Sequence, residues 1–161
     1  MKISRVEVLC ANRAVYAKVY TDNGLYGIGE SGAWGLLAAS GEAIKMFGEY
    51  LVGQDPLDIE HHWQYMYRFS HFRGAAVMGA ISALDEALYD IAGKFYGVPV
   101  YRLLGGKCRD KVRVYNHTAG RTEEELIENA IKGKEEAFTA LGHLNPYLDE
   151  PRNQPFHDNN T

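Results

Sequence analysis

Alternating polar and apolar residues mark the first thirty positions as β-strands. The alternation runs over residues 3–9 and again over 15–20, which is the two-residue period of a half-buried strand. Asp22-Asn23-Gly24 tolerates positive φ, so the chain can reverse there into a third strand over residues 25–30. This pattern predicts an antiparallel meander of three strands.

Helical spacing follows the meander. A first helix is predicted over residues 36–51 and closed by Gly53. Asp55-Pro56 then signals a second helix start, because Asp can cap free N–H groups and Pro fits a first turn. Three residues of that helix are expected to face inward: Ile59, Trp63 and Met66.

The longest apolar stripe predicts a helix over residues 76–95. Its members recur at spacings of three and four: Val77, Ile81, Leu84, Leu88, Ile91 and Phe95. Such spacing gives one broad apolar face. Gly97 and Pro99 end the helix, since Gly accepts a left-handed cap and Pro cannot continue a helix. A short turn over residues 100–104 is expected to stop at Gly105-Gly106.

The pattern changes near Asp110. Residues 111–115 alternate as a strand, and Thr122-Glu123-Glu124-Glu125 forms a capping box that opens a helix to about residue 141. A strand followed by a helix is the unit of a parallel α/β fold.

We therefore predict two domains. An α+β domain spans residues 1–110, and residues 111–161 hold a first βα unit and the start of a second strand. A lone βα unit cannot bury both faces of its strand, so we expect the chain to be truncated or to lack partners.

Composition narrows the functional class. The fractions of hydrophobic (46%) and charged (24%) residues are those of an ordinary globular protein. A net charge of -4 argues against a nucleic-acid surface, and no apolar run approaches the roughly 20 residues of a membrane helix. Two cysteines without ligand spacing and no signal-peptide core lead us to expect a cytoplasmic location.

Two motifs suggest ligands but have simpler explanations. Residues 27–32 read G-x-G-x-x-G, yet they follow a hairpin rather than opening a βαβ unit, so tight turns explain the glycines better than a dinucleotide does. Asp58 and His62 share a helix face without a third ligand, so His61 and His62 are expected to be exposed.

Two side chains in loops are better candidates for substrate contact. Arg73 beside Gly74 can grip a carboxylate with two hydrogen bonds, and Trp34 follows the third strand in an open turn. By contrast, Trp63 and Tyr67 have helical spacing and are expected in the core.

Longer stretches carry a family resemblance. Residues 73–94 (RGAAVMGAISALDEALYDIAGK) resemble the signature helix of the mandelate racemase and muconate lactonizing enzyme group of the enolase superfamily. Residues 97–107 (GVPVYRLLGGK) are similar to the domain junction of that family. With the meander, the resemblance covers residues 1 to about 120 and is closest to acid-sugar dehydratases.

The resemblance implies both a fold and a reaction. The fold is a capping domain whose loops close over a modified (β/α)8 barrel. In that family a base removes a proton α to a carboxylate, Mg²⁺ stabilises the enediolate, and dehydratases then expel a β-hydroxyl. Such a proton is barely acidic, so a divalent cation must absorb the developing charge.

The resemblance also implies site residues. Residues 115–120 (YNHTAG) resemble the end of the first barrel strand in acid-sugar dehydratases, where a histidine faces substrate, which makes His117 the first candidate for substrate binding beside Trp34 and Arg73. Many relatives carry Lys-x-Lys on the second barrel strand, but this chain has Gly142-His143-Leu144. His143, or more weakly Tyr147, is then the candidate base.

The family's metal carboxylates come from later strands, so the resemblance implies no metal site within residues 1–161. We expect Mg²⁺, a sugar-acid substrate and a homo-oligomer for the complete enzyme, and no turnover by this chain alone. The alternative is a non-catalytic relative that serves as an interaction or regulatory module, which would lack the three metal carboxylates in the full gene.

Overall fold

A computed structural model describes residues 1–11, 14–33, 35–69 and 71–146, with the backbone alone for residues 143–146. It divides into two compact units, Met1–Lys107 and Cys108–Thr161. In its described residues the first unit has three strands followed by four helices: β1 (Ile3–Ala11), β2 (Ala14–Thr21), β3 (Tyr26–Ser31), α1 (Leu37–Leu51), α2 (Ile59–Phe69), α3 (Ala75–Tyr96) and α4 (Val100–Leu103).

The predicted meander is confirmed. Strands β1, β2 and β3 lie in that order in one antiparallel sheet. The reversal between β2 and β3 is closed by the Thr21 N–H, which donates to the Leu25 carbonyl at 2.9 Å, and Gly24 has the positive φ of 89° that the turn requires.

Helix α3 supplies most of the first core. Ile81, Leu84, Leu88 and Ile91 are all buried, as the apolar stripe predicts. They pack with residues of β2 and α1: Val15, Ala17, Val19, Ile44, Phe47 and Leu51. The two ends of the stripe are less buried than its centre: Val77 is half-buried against the core, and Phe95, near the end of α3, is 48% exposed.

The glycines of the G-x-G-x-x-G stretch do not form tight turns, contrary to the prediction. Gly27 and Gly29 lie inside β3. A Cβ atom at Gly27 would collide with the carbonyl oxygen of Ala87, and one at Gly29 would collide with that of Ala83. These two glycines therefore allow the α3 backbone to approach the strand closely.

Carboxylates of α3 also bond to the outer edge of β3. The Ile28 N–H donates to the Asp90 carboxylate at 3.1 Å, and the Glu30 N–H donates to the Glu86 carboxylate at 2.9 Å. The two acids lie one helical turn apart, which matches the spacing of alternate residues on the strand.

Lys94 completes this contact one turn further along α3. Its ammonium group donates to the Tyr26 carbonyl at 2.6 Å and pairs with Asp90 at 2.8 Å. Side chains of α3 therefore satisfy backbone groups at the edge of β3 that a neighbouring strand would otherwise bond.

Helix α2 begins later than predicted. The Asp55 carboxylate accepts the Leu57 N–H at 3.0 Å and forms a local turn, and the first helical bond runs from the His62 N–H to the Asp58 carbonyl at 3.0 Å. The Asp-Pro pair thus forms the turn before the helix. Met66 is buried as expected, whereas Ile59 and Trp63 are half-buried at the edge of the core.

The other predicted helix ends are confirmed. Gly53 follows α1 with a φ of 84°, and Gly97 caps α3 in the left-handed conformation. Gly105 and Gly106 both have positive φ and end the short helix α4.

The described part of the second unit is a βαβ segment. It consists of β4 (Asn116–Gly120), α5 (Glu123–Glu135) and β5 (Leu141–Pro146), and the two strands are parallel. The strand predicted over 111–115 is thus displaced to 116–120, because ladder pairing with β5 starts at Asn116. The N-cap is confirmed, since Thr122 Oγ1 accepts the Glu125 N–H at 3.2 Å.

Helix α5 ends six residues before the predicted position. The Phe138 N–H donates to the Gly133 carbonyl and the Ala137 N–H donates to the Lys134 carbonyl, both at 3.1 Å. This pair of bonds is a Schellman cap, which needs a left-handed residue. Ala137 adopts that conformation with a φ of 69°, so the helix ends without the glycine that usually signals such a cap.

Substitution of one glycine inside β3 and of one glycine just after it tests the packing of α3 on β3. Gly29→Ala should destabilise the chain by about 1–3 kcal/mol, as overpacking does. Gly32→Ala should change the free energy of unfolding by less than about 0.5 kcal/mol, because nothing lies within 4 Å of the position of its Cβ atom. Urea denaturation of both variants measures the difference, and equal effects would contradict the close approach.

Candidate functional site

The first strand of the second unit places one candidate residue, His117, on its open face. Helix α5 covers the other face: a Cβ atom at Gly120 would collide with the backbone of Leu126, and one at Gly133 would lie 2.8 Å from the Asn116 amide. Side chains alternate along a strand, so His117, between Asn116 and Thr118, lies on the face away from α5.

The His117 ring stacks on the ring of Tyr115. Their centroids are 5.1 Å apart with an interplanar angle of 17°, and His117 Nε2 lies 3.2 Å from the Tyr115 hydroxyl. Gly142 lies beside the same two rings. It pairs with His117 across the ladder, and a Cβ atom added to it would lie 2.6 Å from Tyr115 Cδ2. A larger residue at 142 would therefore displace the tyrosine ring that supports His117.

The candidate bases lie at the limit of the described residues. His143 belongs to β5, where the register shifts so that His143 and Leu144 together lie opposite Thr118. The side chain of His143 and the whole of Tyr147 lie outside the described residues. Both assignments stay predictions.

Arg73 is exposed in the loop before α3 and contacts α2. Its Nε–H donates to the Tyr67 carbonyl at 2.7 Å, and its guanidinium lies 3.8 Å from the centroid of the Tyr67 ring. The Tyr67 ring in turn stacks on Trp63, with centroids 4.8 Å apart. Trp34, the other candidate in this unit, lies outside the described residues.

The prediction of two exposed histidines on α2 was wrong for one of them. His61 is exposed, but His62 is 1% exposed. Its Nε2 lies 2.8 Å from the Asp55 carbonyl, which can only accept, so Nε2 donates. Its Nδ1 then accepts from the Tyr50 hydroxyl at 3.0 Å, and burial raises the pKa of Tyr50, which keeps that donor protonated.

Asp85 of α3 has a perturbed carboxyl group. The side chain is half-buried, and this burial, followed by the charges of Glu60 and Glu86, raises its pKa above the ordinary value of 3.8. Raised pKa values occur at functional sites. Here the neighbours that raise the pKa are the acids Glu60 on α2 and Glu86 on α3, so the shift reflects burial and charge repulsion.

A recess of about 240 Å³ opens at the opposite end of β4 from its carboxyl edge. It is lined by Arg113, Val114 and residues 136–139. Ligands of parallel α/β folds bind at the carboxyl edge of the strands, and the recess is bounded by the Arg113 side chain bonded to Thr139. The recess therefore lies apart from the carboxyl edge at which a ligand is expected.

The described residues do not fit a divalent cation. Within residues 1–11, 14–33, 35–69 and 71–146, no three His, Cys, Asp or Glu side chains form a group able to hold a metal ion. Hard cations such as Mg²⁺ bind several oxygen ligands.

Over the same residues, no helix combines the length and apolarity needed to cross a bilayer.

Comparisons with known proteins agree with this architecture. Residues 2–105 match the family described as mandelate racemase / muconate lactonizing enzyme, N-terminal domain. A D-galactonate dehydratase from Variovorax paradoxus (strain S110) is 39% identical over 158 residues, which cover 94% of this chain and 41% of that protein. The chain therefore spans about two fifths of the length of this curated relative.

Two solved structures share the fold. An enolase from Pantoea ananatis with bound D-gluconate and Mg is 35% identical, with a TM-score of 0.76 over 89% of this chain and 36% of its own. A dehydratase from Mesorhizobium loti, named as putative, is 38% identical, with a TM-score of 0.80 over 88% of this chain and 40% of its own.

The raised pKa of Asp85 predicts a pH-dependent effect on stability. Because the folded-state pKa exceeds the unfolded value of 3.8, the favourable contribution is complete below that pH and is lost as the pH rises through the folded pKa. Asp85→Asn should therefore stabilise the chain at pH 7, by less than about 1 kcal/mol since water screens part of the charge. The gain should vanish at acidic pH.

Asp90→Asn on the same helix is the matched control. It removes the charge that bonds to the Ile28 N–H and Lys94, so it should destabilise the chain by about 0.5–1.5 kcal/mol at pH 7. Thermal unfolding at several pH values measures both variants. Destabilisation by Asp85→Asn at pH 7 would show that the carboxylate is stabilising.

Proposed function

We infer that this chain, which belongs to the mandelate racemase and muconate lactonizing enzyme family, forms the amino-terminal part of a sugar-acid dehydratase. The observation that carries the proposal is the 39% identity to a D-galactonate dehydratase over 158 residues, which extends from the first unit through the second. In this proposal the complete protein removes the proton α to the substrate carboxylate and expels the β-hydroxyl as water.

Mg²⁺ belongs to the proposal for the complete protein. The Pantoea ananatis enolase binds Mg together with D-gluconate, and Mg²⁺ supplies positive charge that stabilises an α-carbanion beside a carboxylate. No three His, Cys, Asp or Glu side chains of the described residues form a group that could hold the ion, so in this proposal its ligands come from the remainder of the complete protein.

We propose substrate binding as the role of His117. Its imidazole lies on the face of β4 away from α5 and is oriented by the stack with Tyr115. An imidazole held in this way can form a hydrogen bond with a substrate hydroxyl or carboxylate, or transfer a proton to or from it. Arg73 and Trp34 remain proposed substrate contacts, and His143 or Tyr147 the proposed base. A cytoplasmic location and a homo-oligomer also remain proposals.

A domain exchange tests the proposed function. Residues 1–120 of this chain replace the matching segment of the Variovorax paradoxus dehydratase, and the chimera is assayed with D-galactonate and Mg²⁺. We expect turnover by the chimera and none by the 161-residue chain alone, which spans 41% of that relative. A folded but inactive chimera would favour the non-catalytic alternative, and turnover by the chain alone would place the whole site within it.

The role of His117 is tested in the active chimera. His117→Asn should lower kcat/KM by about ten- to a hundredfold, as expected for loss of one hydrogen bond to a charged group. His61→Asn, an exposed histidine on α2, is the control and should leave the kinetics unchanged. Unchanged kinetics in His117→Asn, with an unchanged circular dichroism spectrum, would remove His117 from the site.

A further inference from the structure

Tyr115, the residue directly before β4, forms a pair with His117. Side chains two residues apart along a strand lie on the same face, and here the two rings stack with centroids 5.1 Å apart and an interplanar angle of 17°. Aromatic rings in contact prefer a small set of arrangements, of which an offset stack is one. The stack therefore limits the orientations that the imidazole plane of His117 can adopt.

The hydroxyl of Tyr115 reaches one particular nitrogen of the imidazole. Tyr115 Oη lies 3.2 Å from His117 Nε2. A neutral imidazole has one N–H donor and one bare nitrogen that accepts, and its hydrogen bonds decide which nitrogen carries the proton. A phenolic hydroxyl is a donor at neutral pH, and a bare imidazole nitrogen is a stronger acceptor than a phenol oxygen. The favoured arrangement therefore has Oη–H donating to Nε2 and the imidazole proton on Nδ1.

Gly142 leaves the space that the Tyr115 ring occupies. It pairs with His117 in the parallel ladder of β4 and β5. A Cβ atom at this position would lie 2.6 Å from Cδ2 and 2.9 Å from Cε2 of the ring, closer than non-bonded carbon atoms approach. Because the Tyr115 side chain is 47% exposed, the ring would swing outward rather than force the strands apart. The place of the hydroxyl thus depends on a missing side chain on the neighbouring strand.

From this geometry we propose that Tyr115 is a positioning residue, which holds His117 as a single tautomer with its proton on Nδ1, in a space that Gly142 leaves open. The inference rests on the proposed function, because it concerns how His117 meets the substrate. The tautomer decides which nitrogen donates and which accepts, so it decides which substrate groups the imidazole can match. Tyr115 thus contributes to substrate recognition through His117.

Nuclear magnetic resonance of the 161-residue chain tests the tautomer. Long-range proton–nitrogen correlations show which imidazole nitrogen of His117 carries the proton, at a pH at which the ring is neutral. We expect the Nδ1–H form in the wild type. Tyr115→Phe keeps the stack but removes the hydroxyl, so the ratio of tautomers should shift by about three- to tenfold toward the Nε2–H form, the effect of one lost hydrogen bond. A mainly Nε2–H ring in the wild type, or an unchanged ratio in Tyr115→Phe, overturns the inference.

Tyr96→Phe is the matched control for the lost hydroxyl. Tyr96 is 59% exposed at the end of α3 and belongs to the first unit, so its hydroxyl should have no influence on the tautomers of His117. A shift in Tyr96→Phe as large as that in Tyr115→Phe would show that the effect is not local and would overturn the inference.

Gly142→Ala tests the space beside the ring while Tyr115 stays in place. Displacement of the ring should shift the tautomers of His117 in the same direction as Tyr115→Phe does. In the double variant the second change should add nothing, because the hydrogen bond is already lost. A wild-type ratio in Gly142→Ala, or shifts that simply add in the double variant, overturns the role assigned to Gly142.

Kinetics of the active chimera test the link to the substrate. The chimera holds residues 1–120 of this chain and therefore contains both Tyr115 and His117. Tyr115→Phe should lower kcat/KM by the factor by which the population of the Nδ1–H tautomer falls, because only that population binds substrate productively. An unchanged kcat/KM, although the tautomers shift, overturns the positioning role.

The two proposals fail separately in these measurements. A tautomer shift in Tyr115→Phe of the 161-residue chain, together with an inactive chimera, would refute the proposed function alone. An active chimera, together with an unchanged ratio of tautomers in Tyr115→Phe, would refute the inference alone.

Discussion

The close approach of helix α3 to strand β3 is the contact on which the first unit depends. Gly27 and Gly29 leave space that the carbonyl oxygens of α3 occupy, and the charged side chains of the same helix bond to the strand edge. This approach determines where the apolar face of α3 meets β2 and α1.

The parts of the fold that repeat a simple period were predictable from the sequence. The meander and the buried face of α3 follow from alternation and from apolar spacing. Features that depend on contact with backbone atoms far away in the sequence were not predictable. The role of Gly29 depends on the Ala83 carbonyl, which lies far away in sequence, and a flexible residue after a strand reads equally well as a turn. Ala137 ends α5 where its sequence shows no cap signal.

The candidate site was predictable only in part. The loop position identifies Arg73 as a candidate and the family resemblance identifies His117, but no spacing rule links either residue to its aromatic neighbour. Tyr67 was assigned to the core because of its helical spacing, and it is indeed partly buried, yet one face of its ring carries a cation. His62 was missed for a related reason: a buried histidine needs partners such as Tyr50 and the Asp55 carbonyl, which the sequence cannot show to be close.

The edge of β3 has a consequence for assembly. Open sheet edges present rows of unpaired N–H and C=O groups, which act as templates for strands from other chains. At β3 the N–H groups of Ile28 and Glu30 and the carbonyl of Tyr26 are already bonded to a helix that belongs to the same core. A foreign strand would have to displace three charged side chains to pair there, so this side of the sheet is closed to β-augmentation and to edge-to-edge aggregation.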